Sequence, residues 1–452
     1  MMNHLQRVNP DWDQAMIKER VGMLDRAGNF APLPVSLSPW RLTASQWQQA
    51  QDNSRLLGRL LSGISNQGNW LLENLNPLIS GNSLTGILAK QLSQLDPAQI
   101  RAVGLPFMRH DMLLDTAGKW RWVESNSIAA GMGPLSDNWQ QLLKQQQALC
   151  CQADNPAIVR QSALLAGAAV AMRRRFDNQA PLLLFVVEQQ EDNLFDQQIL
   201  AEAIQARGVR VARVSLAKLA GLPRRGKRLY WPGDKPGAGS AVDLVYFRTG
   251  YNRQDYQNAE QLALRATLET LDLVLCPNIA LQLAGSKWVQ ARIYETLQDP
   301  WTGAQFQRNL SLSLADMARL HTLLVPAHTL TNADDKTMRG RLKRGWLLKS
   351  EQEGGGSVLK GQDAIDRLNQ GIGADTGWIV MAPIDSQIRQ APLSLLKAGQ
   401  WQEWTGSISE LGMFTLGHNH QYGGYLLRSK PAGQLEGGVH RGGAVLDSLQ
   451  VF

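Results

Sequence analysis

The sequence predicts an α/β protein with mixed α+β elements, in which a parallel α/β unit is inserted into a larger body of helices and strands. Three observations carry that expectation. Between residues 181 and about 284, apolar strand-like runs alternate with helix-like runs, the order that builds a parallel sheet. Outside that unit, WRWVESNS (120–127) alternates aromatic and polar side chains as a strand does. From 285 to 452, short apolar runs are separated by many glycines.

Residues 1–180 form the first part. SQWQQAQDNSRLLGRLLSGIS has helical periodicity, and the strand at 120–127 emerges into the small-residue segment IAAGMG. Within 181–284, PLLLFVVE is a buried strand, DQQILAEAIQARG a helix closed by Gly208, and VRVARVSL a second strand. AVDLVYFRTGY is the next strand, NAEQLALRATLETLD a helix and LVLCPN the last strand, with RRGKRLYWPGDKPGAGSAV a turn-rich hairpin excursion. In the third part, WLLKSEQEGGGSVLKG (346–361) opens as a short buried strand that ends at Lys349. The chain has 452 residues, too many for one compact core and enough for two or three.

Composition narrows the function classes. Apolar residues make up 44% and charged residues 19%, as in ordinary globular proteins. The nearest approach to a membrane span is Ala163–Met172, which runs into Arg173-Arg174-Arg175 and falls short of the roughly 18 residues required. The N-terminal MMNHLQRVNPDWDQ is polar and has no secretory h-region, so the cytoplasm is expected. Cys150, Cys151 and Cys276 offer neither a disulfide framework nor a Cys-x-x-Cys metal site and read as plain thiols. The net charge is +7. Basic clusters at 173–175, 224–228 and 339–345 fit either a nucleic-acid partner or solvated faces. No zinc-finger, RRM or helix-turn-helix pattern accompanies them, which favours solvated faces.

Several chemistries lack their motif. There is no G-x-x-x-x-G-K-[ST], no G-x-G-x-x-G, no H-E-x-x-H and no G-x-S-x-G. His418 and His420 fit a polar loop better than a metal site, with no third ligand nearby. Three clusters remain. Glycine loses the most backbone freedom on ordering, so Gly354, Gly355 and Gly356 in a row mark either a linker or a backbone that must approach a bulky anion. Strand alternation puts Glu124 and Asn126 on one face, where a carboxylate and an amide oxygen suit Mg²⁺ or form a solvated polar edge. Arg428 and Lys430 share a face as well, suited to phosphate or carboxylate, or to a surface strand.

Taken in order along the chain, these segments resemble the eukaryotic-type glutathione synthetase family of the ATP-grasp superfamily. The likeness runs through DNLFDQQ, DLVYFRTGY, CPNIALQLAGSKWVQ, LLKSEQEGGGSVLKG, SISELGMF and YLLRSK...EGGV...GGAVLD. It implies an ATP-grasp fold whose inserted α/β domain binds substrate, a glycine-rich lid at about 345–405, ATP as co-substrate, Mg²⁺ as cofactor and a homodimer. It further implies ligation of γ-glutamylcysteine to glycine, with no nucleic-acid or membrane partner. By the resemblance, Glu124, Asn126 and Glu353 are the metal ligands. Lys287, Lys349, Ser350, Glu351, Gln352, Glu353, Gly354, Gly355, Gly356, Ser357, Val358 and Lys360 hold or cover the nucleotide, as does Glu124 through its metal. Met381, Ala382, Pro383 and Ile384 form the adenine hinge, with Glu410, Lys430 and Glu436 nearby.

The peptide substrate is expected at Arg109, Ile128, Ala129, Ala130, Gly131, Glu191, Asp192, Asn193, Gln197, Arg248, Thr249, Gly250, Tyr251, Arg428, Val439 and His440, with Arg109 and Arg428 catalytic. The chain departs from the family at four places. Ala129 and Gly131 stand where serines are common, GGVHRG replaces an alanine-rich loop with His440 and Arg441, Lys360 replaces a lid tyrosine, and the hinge reads MAPI. These departures leave open a related ligase with another acceptor or another γ-glutamyl or thiol peptide donor. A non-catalytic nucleotide- or nucleic-acid-binding protein is the reading from a different class.

Overall fold

The computed structural model describes residues 12–147, 152–232, 239–351, 358–372, 377–435, 437–439 and 442–452. At its centre lies an eight-stranded sheet drawn from both ends of the chain. Its strands run in the order Gln400–Trp404, Leu393–Lys397, Val35–Ser36, Val445–Asp447, Gln421–Pro431, Ser407–Leu416, Phe107–Leu114 and Trp120–Asn126. All neighbours are antiparallel except Val445–Asp447 on Val35–Ser36.

Both faces of this sheet are covered, so the alternation expected for a one-sided strand is lost along Phe107–Leu114, where every residue is buried. Met108, Met112, Leu411, Met413 and Tyr425 join one core, which includes the helix Ala44–Asn66. That helix begins at a capping box, in which Thr43 and Gln46 each satisfy a backbone N–H of the other. Phe107, Phe414, Leu416 and Leu426 join a second core with the helices Gly133–Gln147 and Ala157–Arg173. On this second face the side chains change from apolar to charged along the strands, and the charged end is the floor of the site.

The inserted unit forms a parallel sheet in the order Val103–Gly104, Val274–Cys276, Leu244–Phe247, Leu182–Val186 and Arg210–Val214. Four strands are those read from 181–284. The fifth, Val103–Gly104, comes from the first part of the chain and is too short to show a period. The arginine clusters need a correction. Arg173 and Arg228 are buried on the carboxylate of Asp243, at 2.8 Å each, and do not lie on solvated faces.

A third sheet, antiparallel, runs Ala327–Leu330, Trp378–Met381, Leu347–Ser350 and Val358–Lys360. The strand expected to end at Lys349 continues to Ser350 because Ser350 still pairs with Trp378. His418 and His420 lie in the turn between the two longest strands of the central sheet, His420 buried and at φ 51°. Among the described residues no helix is long and apolar enough to cross a membrane.

Candidate active site

Elements of the three largest sheets line one cavity of about 1830 Å³. Its floor is the charged end of the central sheet. Register fixes which side chains meet there: Arg109 lies opposite Asn126, Asp111 opposite Glu124, Gly412 opposite Asp111, and Glu410 opposite Arg428. Cross-strand partners share a face, so these groups point the same way. Asp111 is fully buried and accepts from Arg109 through both oxygens, at 2.7 and 2.8 Å. The same carboxylate accepts from Asn126 Nδ2 at 3.1 Å and Arg428 Nη2 at 3.0 Å. Arg428 also pairs with Glu410.

Glu124 stands beside this cluster, its Oε2 4.0 Å from Lys287 Nζ and 3.9 Å from Lys349 Nζ. Burial raises the Glu124 carboxyl, but Lys287, Lys349, Arg428 and Arg109 override it and hold the group down at about 2. Lys287 is the first residue of the helix Lys287–Gln298, whose N-cap Ser286 accepts from Val289 N. Glu351 ties that helix start to the third sheet: its carboxylate accepts from Trp288 N at 2.5 Å and from Thr85 Oγ1 at 3.0 Å. A carboxylate at a helix N-terminus is favoured by both the unpaired N–H groups and the helix dipole.

The cavity wall continues through Val358, Lys360, Met381, Ala382, Pro383 and Ile384. Ala382 N bonds back to Pro326 O, and Thr116 Oγ1 reaches Asp385 Oδ2 at 2.6 Å, so the segment after Met381 is fastened at both ends. At the far end, the carboxyl ends of the parallel strands bring Glu191, Asp192, Asn193, Gln197, Arg248 and Tyr251 to the same cavity as Ile128, Ala129 and Gly131. Arg248 is held by Asp196 at 2.9 Å, both buried. Among the described residues, Gln197 Oε1, Asn193 Oδ1, Arg248 Nε and Arg428 Nε are buried atoms without a hydrogen-bond partner. Such orphaned groups are costly unless a ligand meets them.

Most of the expected site residues therefore gather around one space, Lys430 and Val439 included. Ser350, Ala130, Thr249 and Gly250 do not line it. Ser350 is buried in its strand pair, Ala130 in the second core, Thr249 lines a smaller pocket, and the Gly250 carbonyl accepts from Tyr256 and Gln282. Gln352, Glu353, Gly354, Gly355, Gly356, Ser357, Glu436 and His440 lie outside the described residues.

A family model described as the ATP-binding domain of eukaryotic glutathione synthase matches residues 14–451. The chain belongs to the eukaryotic glutathione synthase family. It is thus a ligase-family chain with ATP as co-substrate and small molecules as its other substrates. Glutathione synthetase of Solanum lycopersicum, a chloroplastic protein, is 29% identical over 92% of this chain and 77% of its own. The Xenopus laevis protein is 28% identical over 93% of this chain and 90% of its own, and the Homo sapiens protein 26% over 92% and 89%. A glutathione synthetase-like effector from Globodera pallida, solved in apo form, shares the fold at TM-score 0.69 and 14% identity, covering 100% of this chain and 97% of that one.

For this member of the glutathione synthase family, the site also contains residues the sequence reading passed over. Asp111 stands two positions after Arg109 in FMRHDM, and alternation alone put it on the same face. Its partners Asn126 and Arg428 are 15 and 317 positions away, which no local pattern reports. Asp196, in DNLFDQQ, could have been singled out as the acid closest to Gln197, but its pairing with Arg248 needs the parallel register.

Proposed function

We propose that the chain is an ATP- and Mg²⁺-dependent peptide ligase that joins γ-glutamylcysteine to glycine, releasing ADP and phosphate. The observation that carries this reading is the placement of Arg109 and Arg428 on one carboxylate, between the Glu124–lysine cluster and the Arg248–Gln197 end of one cavity. Nucleotide phosphates suit the first end and a zwitterionic peptide the other.

The residues present fit a magnesium ion. Glu124 offers a carboxylate, and Asn126, whose Nδ2 donates to Asp111, has its amide oxygen as the remaining polar end. Glu353 is the expected third ligand. When bound, the metal supplies charge stabilisation at the transferring phosphoryl group.

The chain's own groups then position and neutralise. Lys287 and Lys349 hold the phosphates, and Met381 to Ile384 take the adenine. The donor's terminal carboxylate attacks the γ-phosphorus, ADP departs, and an acyl phosphate forms. The acceptor amine attacks that carbonyl. Arg109 and Arg428 stabilise the oxyanion of the tetrahedral intermediate, which expels phosphate as the amine loses its proton. No side-chain nucleophile is required.

A second reading, of the donor, is supported by Gly131. A Cβ built there would lie 2.4 Å from Arg248 Nη2, so the guanidinium fills space that a serine would need. A γ-glutamyl or thiol peptide donor other than γ-glutamylcysteine, joined to glycine or to another acceptor, is that second reading. We further propose a cytoplasmic homodimer without nucleic-acid or membrane partners, to be checked by sedimentation and by filter binding with RNA.

The deciding experiment is phosphate release from ATP and Mg²⁺ with a matrix of donor peptides and acceptor amino acids. Turnover that requires γ-glutamylcysteine and glycine together supports the leading reading. Preference for another donor peptide or another acceptor moves it to the second, and no turnover with any pair removes both.

A further inference from the structure

We propose that Asp111 is the positioning residue of this site: it sets the separation of Arg109 and Arg428 and turns the Asn126 amide so that its oxygen faces the cavity. The chemistry assumed for those three residues rests on the ligase reading above. The inference about Asp111 adds how they are held.

The geometry is specific. Asp111 lies in mid-strand with its side chain wholly enclosed. Its Oδ1 accepts from Arg109 Nε at 2.7 Å. Its Oδ2 accepts from Arg109 Nη2, Arg428 Nη2 and Asn126 Nδ2 at 2.8, 3.0 and 3.1 Å. An ionised carboxylate has about four lone-pair sites and no proton to donate, so these bonds use its capacity. Every partner of Asp111 is thus a group that the reaction uses, while Asp111 itself stands behind them.

Each bond has a consequence. Two guanidiniums on strands that flank Ser407–Leu416 repel one another, and a shared buried anion between them holds both toward the cavity. The bidentate grip on Arg109 through Nε and Nη2 fixes the plane of that guanidinium and leaves Nη1 to reach Gly131 O at 3.3 Å. An asparagine side chain offers nearly the same shape in either flip, so its neighbours decide which end points where. An acceptor-only group behind Asn126 draws the NH₂ inward and sends the oxygen outward, the end a hard cation needs. Removing the charge of Asp111 removes all three instructions together.

The fold makes room for this arrangement at one position. Gly412 faces Asp111 on the adjacent strand. A Cβ there would lie 2.5 Å from Asp111 Oδ1 and 2.8 Å from Arg109 Cδ. The absent side chain is what lets the carboxylate and the guanidinium stem lie flat on the sheet.

Two substitutions test the proposal, with readouts that a role in stability alone leaves unmoved. Asp111→Asn keeps the shape and removes the charge, and Gly412→Ala keeps the charge and displaces the carboxylate. Binding of Mn²⁺ to protein saturated with a non-hydrolysable ATP analogue is followed by electron paramagnetic resonance, and the analogue's metal-free affinity is measured separately. Asp111→Asn is expected to weaken Mn²⁺ about tenfold or more, the usual cost of losing a group that orients a ligand. Metal-free analogue affinity stays at the wild-type value. The KM for γ-glutamylcysteine rises and kcat falls by about two orders of magnitude, as for loss of an oriented electrostatic group. Gly412→Ala shifts the same quantities in the same directions by less. Wild-type Mn²⁺ affinity and donor KM in both variants, whatever their unfolding midpoints, overturn the proposal. If Asp111→Asn does not fold, Gly412→Ala decides on the same two readouts. A wild-type chain that turns over no donor sinks the ligase reading, and the Mn²⁺ titration still tests Asp111.

Discussion

Arg428 meets Asp111 and Glu410 at once, and its Nε is buried without a partner among the described residues. Burial works against its charge, and Glu410 and Asp111 more than restore it, so it stays a cation at any pH the fold survives. Arg428→Ala is therefore expected to lower kcat by about two orders of magnitude, the scale of one lost oxyanion stabiliser, in a phosphate-release assay. Gly131→Ser places an atom on Arg248 and should raise the donor KM about tenfold with kcat nearly kept, the mark of lost ground-state binding.

Two histidines behind the floor carry a pH dependence. Burial, with His420 adding to it, pushes His110 down to about 3, and burial with His418 and Arg59 pushes His420 down to about 4. Both are neutral when folded and take up protons when unfolded below about 6.5, so stability is full above that pH. It falls as the pH drops from about 6.5 toward 4, by at most about 1.4 kcal/mol per unit for each histidine. Urea midpoints at pH 7.5, 6 and 5 should show the slope, and His420→Asn, compatible with the positive φ, should reduce it. At this scale the sequence pointed to Arg109, Glu124, Asn126 and Arg428, which the fold brings to one cavity. It did not show Asp111 or the Ser125 and Thr415 hydroxyls on His110, because their pairings cross strands far apart in the chain.

The helix Lys287–Gln298 illustrates what an element contributes. Ser286 caps it, Glu351 accepts from Trp288 N, and Trp288 Nε1 reaches Asn74 O, so its first turn is held from three sides. Ser286→Ala should cost about 1 kcal/mol of stability, typical of a lost N-cap, and raise the KM for ATP by freeing Lys287. Denaturant titration and initial rates measure the two effects. Elements with a strong period were legible: the helical spacing in SQWQQAQDNSRLLGRLLSGIS foretells the long helix, and the apolar runs from 182 to 276 foretell four parallel strands. Short elements were not. Val103–Gly104 and Val35–Ser36 have too few residues for alternation, and only partners elsewhere in the chain make them strands.

Across the whole molecule, charge is used inside as well as outside. Asp243 is buried beneath Arg173 and Arg228, one from a helix before the parallel sheet and one from the small hairpin beside it. Asp243→Ala leaves two enclosed cations and should cost about 3–5 kcal/mol, as when one partner of a buried pair is removed. The measured KM values should stay unchanged, since Asp243 lines no part of the cavity. From sequence these arginines looked like surface charge, because a run of basic residues carries no sign of which member turns inward.

The strand Val103–Gly104 ties two sheets into one object. Leu105 and Pro106 are all that separate it from the strand bearing Arg109, and Val103 N and Leu105 N donate to Leu273 O and Leu275 O at the edge of the parallel sheet. A gene fragment spanning 181–284 would carry the flank of Val274–Cys276 bare, and a bare strand flank recruits other chains. Light scattering should therefore find such a fragment clumped, and a synthetic hexapeptide copying residues 101–106 should disperse it.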